Sequence, residues 1–156
     1  LTGDKAGADR LYAQVEALHK QNADAGVDDH MQMAQFYADH DRALPQALQL
    51  AELNKSSRNV NDADTLAWCL YKNGREEEAK AAIQTAMARD THDAGILFHA
   101  GMIYAKAGDR VTAGKYLASA LSTNPSFSLR DAKTAADTLK QLGSQPSGGA
   151  IVAKTS

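Results

Sequence analysis

The stretch Val60–Asp93, VNDADTLAWCLYKNGREEEAKAAIQTAMARDTHD, and its continuation Ala94–Phe127, AGILFHAGMIYAKAGDRVTAGKYLASALSTNPSF, are one 34-residue unit written twice. With Val60 and Ala94 at position 1, Leu66 aligns with Ala100, Ala67 with Gly101, Leu70 with Tyr104 and Gly74 with Gly108. Further on, Ala79 aligns with Ala113, Ile83 with Leu117, Ala86 with Ala120, and Asp90-Thr91 with Asn124-Pro125. Apolar residues at helical spacing on both sides of each glycine predict helices over about 61–73 and 76–89, then 95–107 and 111–122. Gly74 and Gly108 stand where the residue after a helix favours a left-handed backbone. The small residues Ala67, Gly101, Ala79 and Ala113 mark the closest approach of paired helices. Bulkier side chains there are expected to cost about 1–3 kcal/mol by overpacking.

A period of 34 with small and large apolar residues in fixed slots resembles the tetratricopeptide repeat (TPR), a helix-turn-helix unit. The likeness covers nearly all of 60–127 and is looser upstream. The run Asp64–Arg75 (DTLAWCLYKNGR), followed by Phe98–Met102 (FHAGM), is most similar to bacterial members of that family. The resemblance implies an all-α, right-handed helical solenoid with a half repeat, three TPR units and a capping helix.

The flanks are read in the same frame. Gly3-Asp4, Ala8, Tyr12 and Val15 repeat the spacing of Gly108-Asp109, Ala113, Leu117 and Ala120. Residues 1–25 are therefore expected to be the second helix of a repeat whose first helix is missing, in a piece of a longer array. Its helix, about 8–21, carries Leu11, Val15 and Leu18 on one face. That face would be open to a preceding repeat or to an oligomer contact.

A degenerate unit spans 27–59, with Met33, Ala34 and Tyr37 in the slots of Leu66, Ala67 and Leu70. Its inter-helix turn reads one residue longer, and Pro45 suits the first turn of its second helix. Units 60–93 and 94–127 follow. Ser128-Leu129-Arg130-Asp131 has the form of a capping box and opens a final helix over 128–142, with Leu129, Ala132, Ala136, Leu139 and Leu142 on one face. The remainder, 143–156 (GSQPSGGAIVAKTS), is linker-like and expected to be flexible.

The 17 basic and 19 acidic residues argue against binding nucleic acid, which needs a concentrated basic face. No run of about 18 apolar residues exists to insert into a membrane. The chain is thus expected in solution, in a bacterial cytoplasm or periplasm. Its single cysteine, Cys69, lies in an apolar helical pattern, which points to the core.

Catalytic patterns fail on inspection. Gly108 and Gly114-Lys115 have one residue too many for a phosphate-binding loop, and Tyr116 replaces the magnesium-ligating hydroxyl. His30 and His40 are ten residues apart, about 80° around a helix and about 15 Å along it, so they cannot share a metal ion. No catalytic, cofactor or metal site is expected.

TPR arrays usually bind peptide segments in a concave groove lined by the first helix of each repeat, and this is what the resemblance implies. Core slots 4, 7, 8 and 11 occupy one side of each first helix and leave slots 2, 5, 6, 9, 12 and 13 for the groove. The expected binding residues are Met31 and Gln35 from the first full unit, with Asp64, Trp68, Tyr71 and Lys72 from the next. Phe98, His99, Met102 and Lys106 come from the last.

Trp68, Tyr71, Phe98 and Met102 are read as an anchoring pocket for an apolar segment, with Trp68 and Phe98 read alternatively as packing between repeats. Lys72 and Lys106 are read either as partners for carboxylates or as solvated helix ends. The lysine/asparagine/arginine clamp of some TPR co-chaperones is not reproduced. The expected function is a non-catalytic scaffold for a protein or peptide partner. The alternatives are an oligomerising array using Leu11, Val15 and Leu18, giving a homo-oligomer, or the recruiting arm of a larger enzyme.

Overall fold

The computed structural model describes residues 4–144. Among them the chain is all-α: α1 (Lys5–Asp24), α2 (His30–Asp39), α3 (Leu44–Glu52), α4 (Val60–Lys72), α5 (Glu76–Met87), α6 (Ala94–Lys106), α7 (Arg110–Thr123) and α8 (Asp131–Ser144). The strongest packing joins α2 to α3, α4 to α5 and α6 to α7, and short turns connect the helices within each pair. Each pair rests on the next through α3 and α2 against α4, and through α5 and α4 against α6. Helix α8 packs on α7 and α6.

Side-chain caps fix the helix starts. The Asn59 carboxamide oxygen accepts from the Asn61 and Asp62 N–H groups at 2.8 and 3.4 Å. Asp93 accepts from Gly95 and Ile96 at 2.8 and 3.0 Å, and Asp109 from Thr112 at 3.0 Å. These caps satisfy N–H groups that the first turn leaves without partners, so each helix begins one residue before the expected start.

Gly74 (φ 73°) and Gly108 (φ 80°) do adopt the left-handed conformation. The residues after them, Arg75 and Asp109, return N–H groups to the Leu70 and Tyr104 carbonyls. The first pair lacks that glycine. Its turn takes four residues, 40–43, against three in 73–75 and 107–109, and Asp41 (φ 53°) and Ala43 (φ 40°) carry the positive φ.

The interior is a ladder of small residues between larger ones. Ala34, Ala47, Ala67, Ala79, Ala113 and Ala120 are fully buried, with Ile83, Leu117 and Cys69 beside them. A Cβ built on Gly101 would lie 2.6 Å from the Leu117 side chain and 3.1 Å from the Leu117 backbone nitrogen. That glycine lets α6 and α7 approach closely.

Both ends differ from the expected pattern. Helix α1 is longer than expected, because Asp4 caps it by accepting from the Gly7 N–H at 2.8 Å. Leu11 and Leu18 are 63% and 56% exposed, and only Val15 of the expected face packs on the core. The helix is rotated so that Tyr12, Val15 and His19 meet the rest of the chain. The Tyr12 ring lies 5.7 Å from Phe36, Arg42 covers Tyr12 at 4.5 Å, and His19 meets Asp29 at 2.5 Å.

At the other end, Ser128 accepts from the Asp131 N–H at 3.2 Å and donates to its carboxylate at 2.9 Å. Helix α8 starts at Asp131 and continues to Ser144, two residues beyond the expected end. Leu129 precedes the first turn, so the helical spacing does not apply to it, and it is 90% exposed. Ala135 takes the fully buried place instead, with Leu139 and Leu142 packed partly against the core. The expected flexible tail lies outside the described residues from 145 onward.

Candidate binding face

The first helices of the three pairs, α2, α4 and α6, bring most of the expected binding residues into one neighbourhood centred on Trp68. The Trp68 indole stacks on Tyr71 at 4.9 Å, with 8° between planes, and on His99 at 4.1 Å and 17°. Its Nε1 donates to Asp39 Oδ1 at 2.9 Å. Phe98 meets the indole edge at 5.9 Å and Phe127 at 5.6 Å. Trp68 is only 4% exposed and Phe98 2%, so both are packed between neighbouring helices. Met102 is half-buried and accepts from the Thr138 hydroxyl of α8 at 3.7 Å.

The charged residues are engaged with other parts of the chain. Lys72 bonds Asp41 at 2.5 Å and lies 4.9 Å from the Trp68 ring centre. Lys106 pairs with Glu76 at 3.5 Å. Asp64 and His99 are both buried, and His99 Nδ1 is 3.0 Å from each oxygen of the Asp64 carboxylate. His99 Nε2 lies 4.0 Å from Asp39 Oδ1.

Burial opposes the charging of His99, yet the carboxylates of Asp64, Asp39 and Asp131 outweigh it and hold its pKa above the ordinary histidine value. Burial raises the Asp39 pKa against the pull of His99 and the Trp68 N–H. Burial, with Asp39 and Asp64 nearby, pushes the Cys69 thiol up to about 12, and its Sγ faces the Ala34 carbonyl at 3.6 Å. This thiol is core, not a nucleophile at neutral pH.

The open part of the face is polar. A cavity of about 230 Å³ is lined by Gln35, Asn61, Asp64, Asp93, Gly95, Ile96 and His99. Gln35 and Asn61 are exposed on its rim, and Met31 is half-buried on α2. The chain also reaches across this side of the molecule. Arg130, just before α8, donates to the main-chain carbonyl of Asp39 at the end of α2 and bonds Asp131 at 3.0 Å.

Gln35, Asp64 and His99 therefore converge on a cavity. Trp68, Tyr71, Lys72, Phe98 and Met102 form the packed layer beside it. Lys106 is tied to α5 through Glu76. Asn61 and Gly95 occupy slot 2 and Asp39 occupies slot 13, on the expected groove face but outside the expected binding residues. Asp93 and Arg130 lie outside those slots altogether. Asp93 was detectable as a helix cap before an apolar run, whereas nothing local marks a contact between residues 91 positions apart.

No protein-family model matches this chain, and no curated protein matches its sequence.

Proposed function

We propose that this chain is a TPR-type helical solenoid that binds an extended peptide segment of a partner protein on the face formed by α2, α4 and α6, without catalysis. One observation carries the reading. Equivalent surfaces of three successive helix pairs supply Gln35, Asn61, Asp64, Gly95 and His99 to a single cavity. A recess shared by consecutive repeats is how a repeat array presents one continuous surface to an elongated ligand.

The buried state of Trp68 and Phe98 changes the expected chemistry of recognition. The aromatic residues stiffen the wall, while the accessible polar groups are the Gln35 and Asn61 amides and the Asp93 carboxylate. The favoured ligand is a peptide that offers main-chain and polar side-chain hydrogen bonds. The test is selection of binders from a displayed random-peptide library, followed by calorimetric titration. Gln35→Ala/Asn61→Ala should weaken a selected peptide at least about tenfold, roughly 1.4 kcal/mol, with an unchanged circular dichroism spectrum. Equal affinity for the parent and the folded double variant would overturn the site.

A second reading, self-association through α1, is favoured by the exposure of Leu11 and Leu18. It predicts a sedimentation coefficient that rises with concentration for the parent chain and stays constant for Leu18→Glu. A parent chain that sediments as a monomer at all concentrations would dismiss it.

A further inference from the structure

We infer that His99 is a proton switch: as an imidazolium it locks α2, α4, α6 and the start of α8 around Trp68, and as a neutral ring it releases them. Both ring nitrogens face carboxylates. Nδ1 is 3.0 Å from Asp64 Oδ1 and Oδ2, and Nε2 is 4.0 Å from Asp39 Oδ1. A neutral imidazole has one N–H and one lone pair, whereas an imidazolium has N–H groups at both positions. A neutral ring that keeps its proton on Nδ1 retains the bond to Asp64, but places an uncharged Nε2 lone pair 4.0 Å from the Asp39 carboxylate. Only the charged ring offers both carboxylates a favourable electrostatic partner.

The surroundings make that proton consequential. Asp64 comes from α4, Asp39 from α2 and Asp131 from α8. The other charges near the ring are Arg130, bound to the Asp39 carbonyl, and Lys72, held by Asp41 beside Trp68. His40 acts on Asp39 from the end of α2. Loss of the His99 proton therefore leaves three carboxylates from three helices around a neutral ring. Repulsion in a buried setting is weakly screened. The first contacts to loosen are the indole–imidazole stack and the crossing from Arg130 to α2, which open the face.

Trp68 is the only tryptophan in the chain and lies 4.1 Å from the His99 ring, so its emission responds to this proton. A protonated imidazole quenches an indole stacked on it. Emission should stay low near pH 6 and rise in one titration whose midpoint lies above about 6.5, the ordinary histidine value. Asp39→Asn should move the midpoint to lower pH, and His99→Gln should abolish the titration.

Because His99→Gln could unfold the chain, the His99 ring carbon and nitrogen resonances of the parent should be followed by NMR over the same range. Amide exchange in the first turn of α8 and the last turn of α2 should accelerate above the midpoint. A His99 ring that stays in one protonation state from pH 6 to 9 would overturn the switch. So would a ring that titrates while exchange at α8 and α2 stays constant.

Discussion

At Gly101 a single hydrogen atom sets the distance between two helices. A methyl group there meets the Leu117 side chain at 2.6 Å and its backbone nitrogen at 3.1 Å, and the backbone contact cannot be relieved by rotating a side chain. Gly101→Ala should therefore lower stability by about 1–3 kcal/mol from overpacking. Higher helix propensity returns up to about 1 kcal/mol, so the net change in denaturant midpoint is a loss. This position was legible in the sequence, because aligning Ala67 with Gly101 marks a slot reserved for small residues. The His99–Asp64 pair was not. The 34-residue register aligns His99 with Thr65 and Asp64 with Phe98, and the bond runs diagonally between helices at a separation of 35. Registers reveal which residues repeat, and this cluster is made from residues that do not.

Among the elements, the α2–α3 turn is the irregular one. Asp41 and Ala43 hold positive φ where the later pairs use one glycine. The left-handed conformation costs a non-glycine residue about 1–2 kcal/mol. Asp41 is offset by its contact with Lys72, whereas the Ala43 side chain caps nothing. Ala43→Gly should raise the unfolding midpoint by the equivalent of about 0.5–1 kcal/mol, after the greater freedom of glycine in the unfolded chain is counted. The extra residue in this turn was readable beside the two later turns. The rotation of α1 was legible only in the repeat register, which puts Tyr12 and Val15 in the slots of the buried Leu117 and Ala120, because helical spacing by itself admits Leu11, Val15 and Leu18 equally well. The contacts with Phe36, Arg42 and Asp29 fix the Tyr12 face. Leu129 was misplaced for a related reason: its register presupposed a helix that begins only at Asp131.

For the molecule as a whole, charge links the stack of helix pairs to pH. The folded-state pKa of His99 is raised, so its contribution to stability is complete below about pH 6.5, where the unfolded chain's histidine is also protonated. That contribution is lost as pH rises through the folded-state value. The lowered carboxyls of Asp29 and Asp109 act in the opposite sense: their contribution is present above about pH 4 and is lost on acidification. Denaturant unfolding followed across pH should therefore show maximal stability in the mildly acidic range and a decline on the alkaline side that His99→Gln removes.

The claim on which the functional account rests is that α2, α4 and α6 present one ligand-binding face. The most direct measurement is an amide NMR titration of the isotope-labelled chain with a library-selected peptide. The account predicts shifts clustered at Gln35, Asn61, Asp64, Gly95 and His99, with little change along α1. Shifts confined to α1, or to the larger cavity of about 570 Å³ beside Met87, Leu97 and Tyr116, would contradict it.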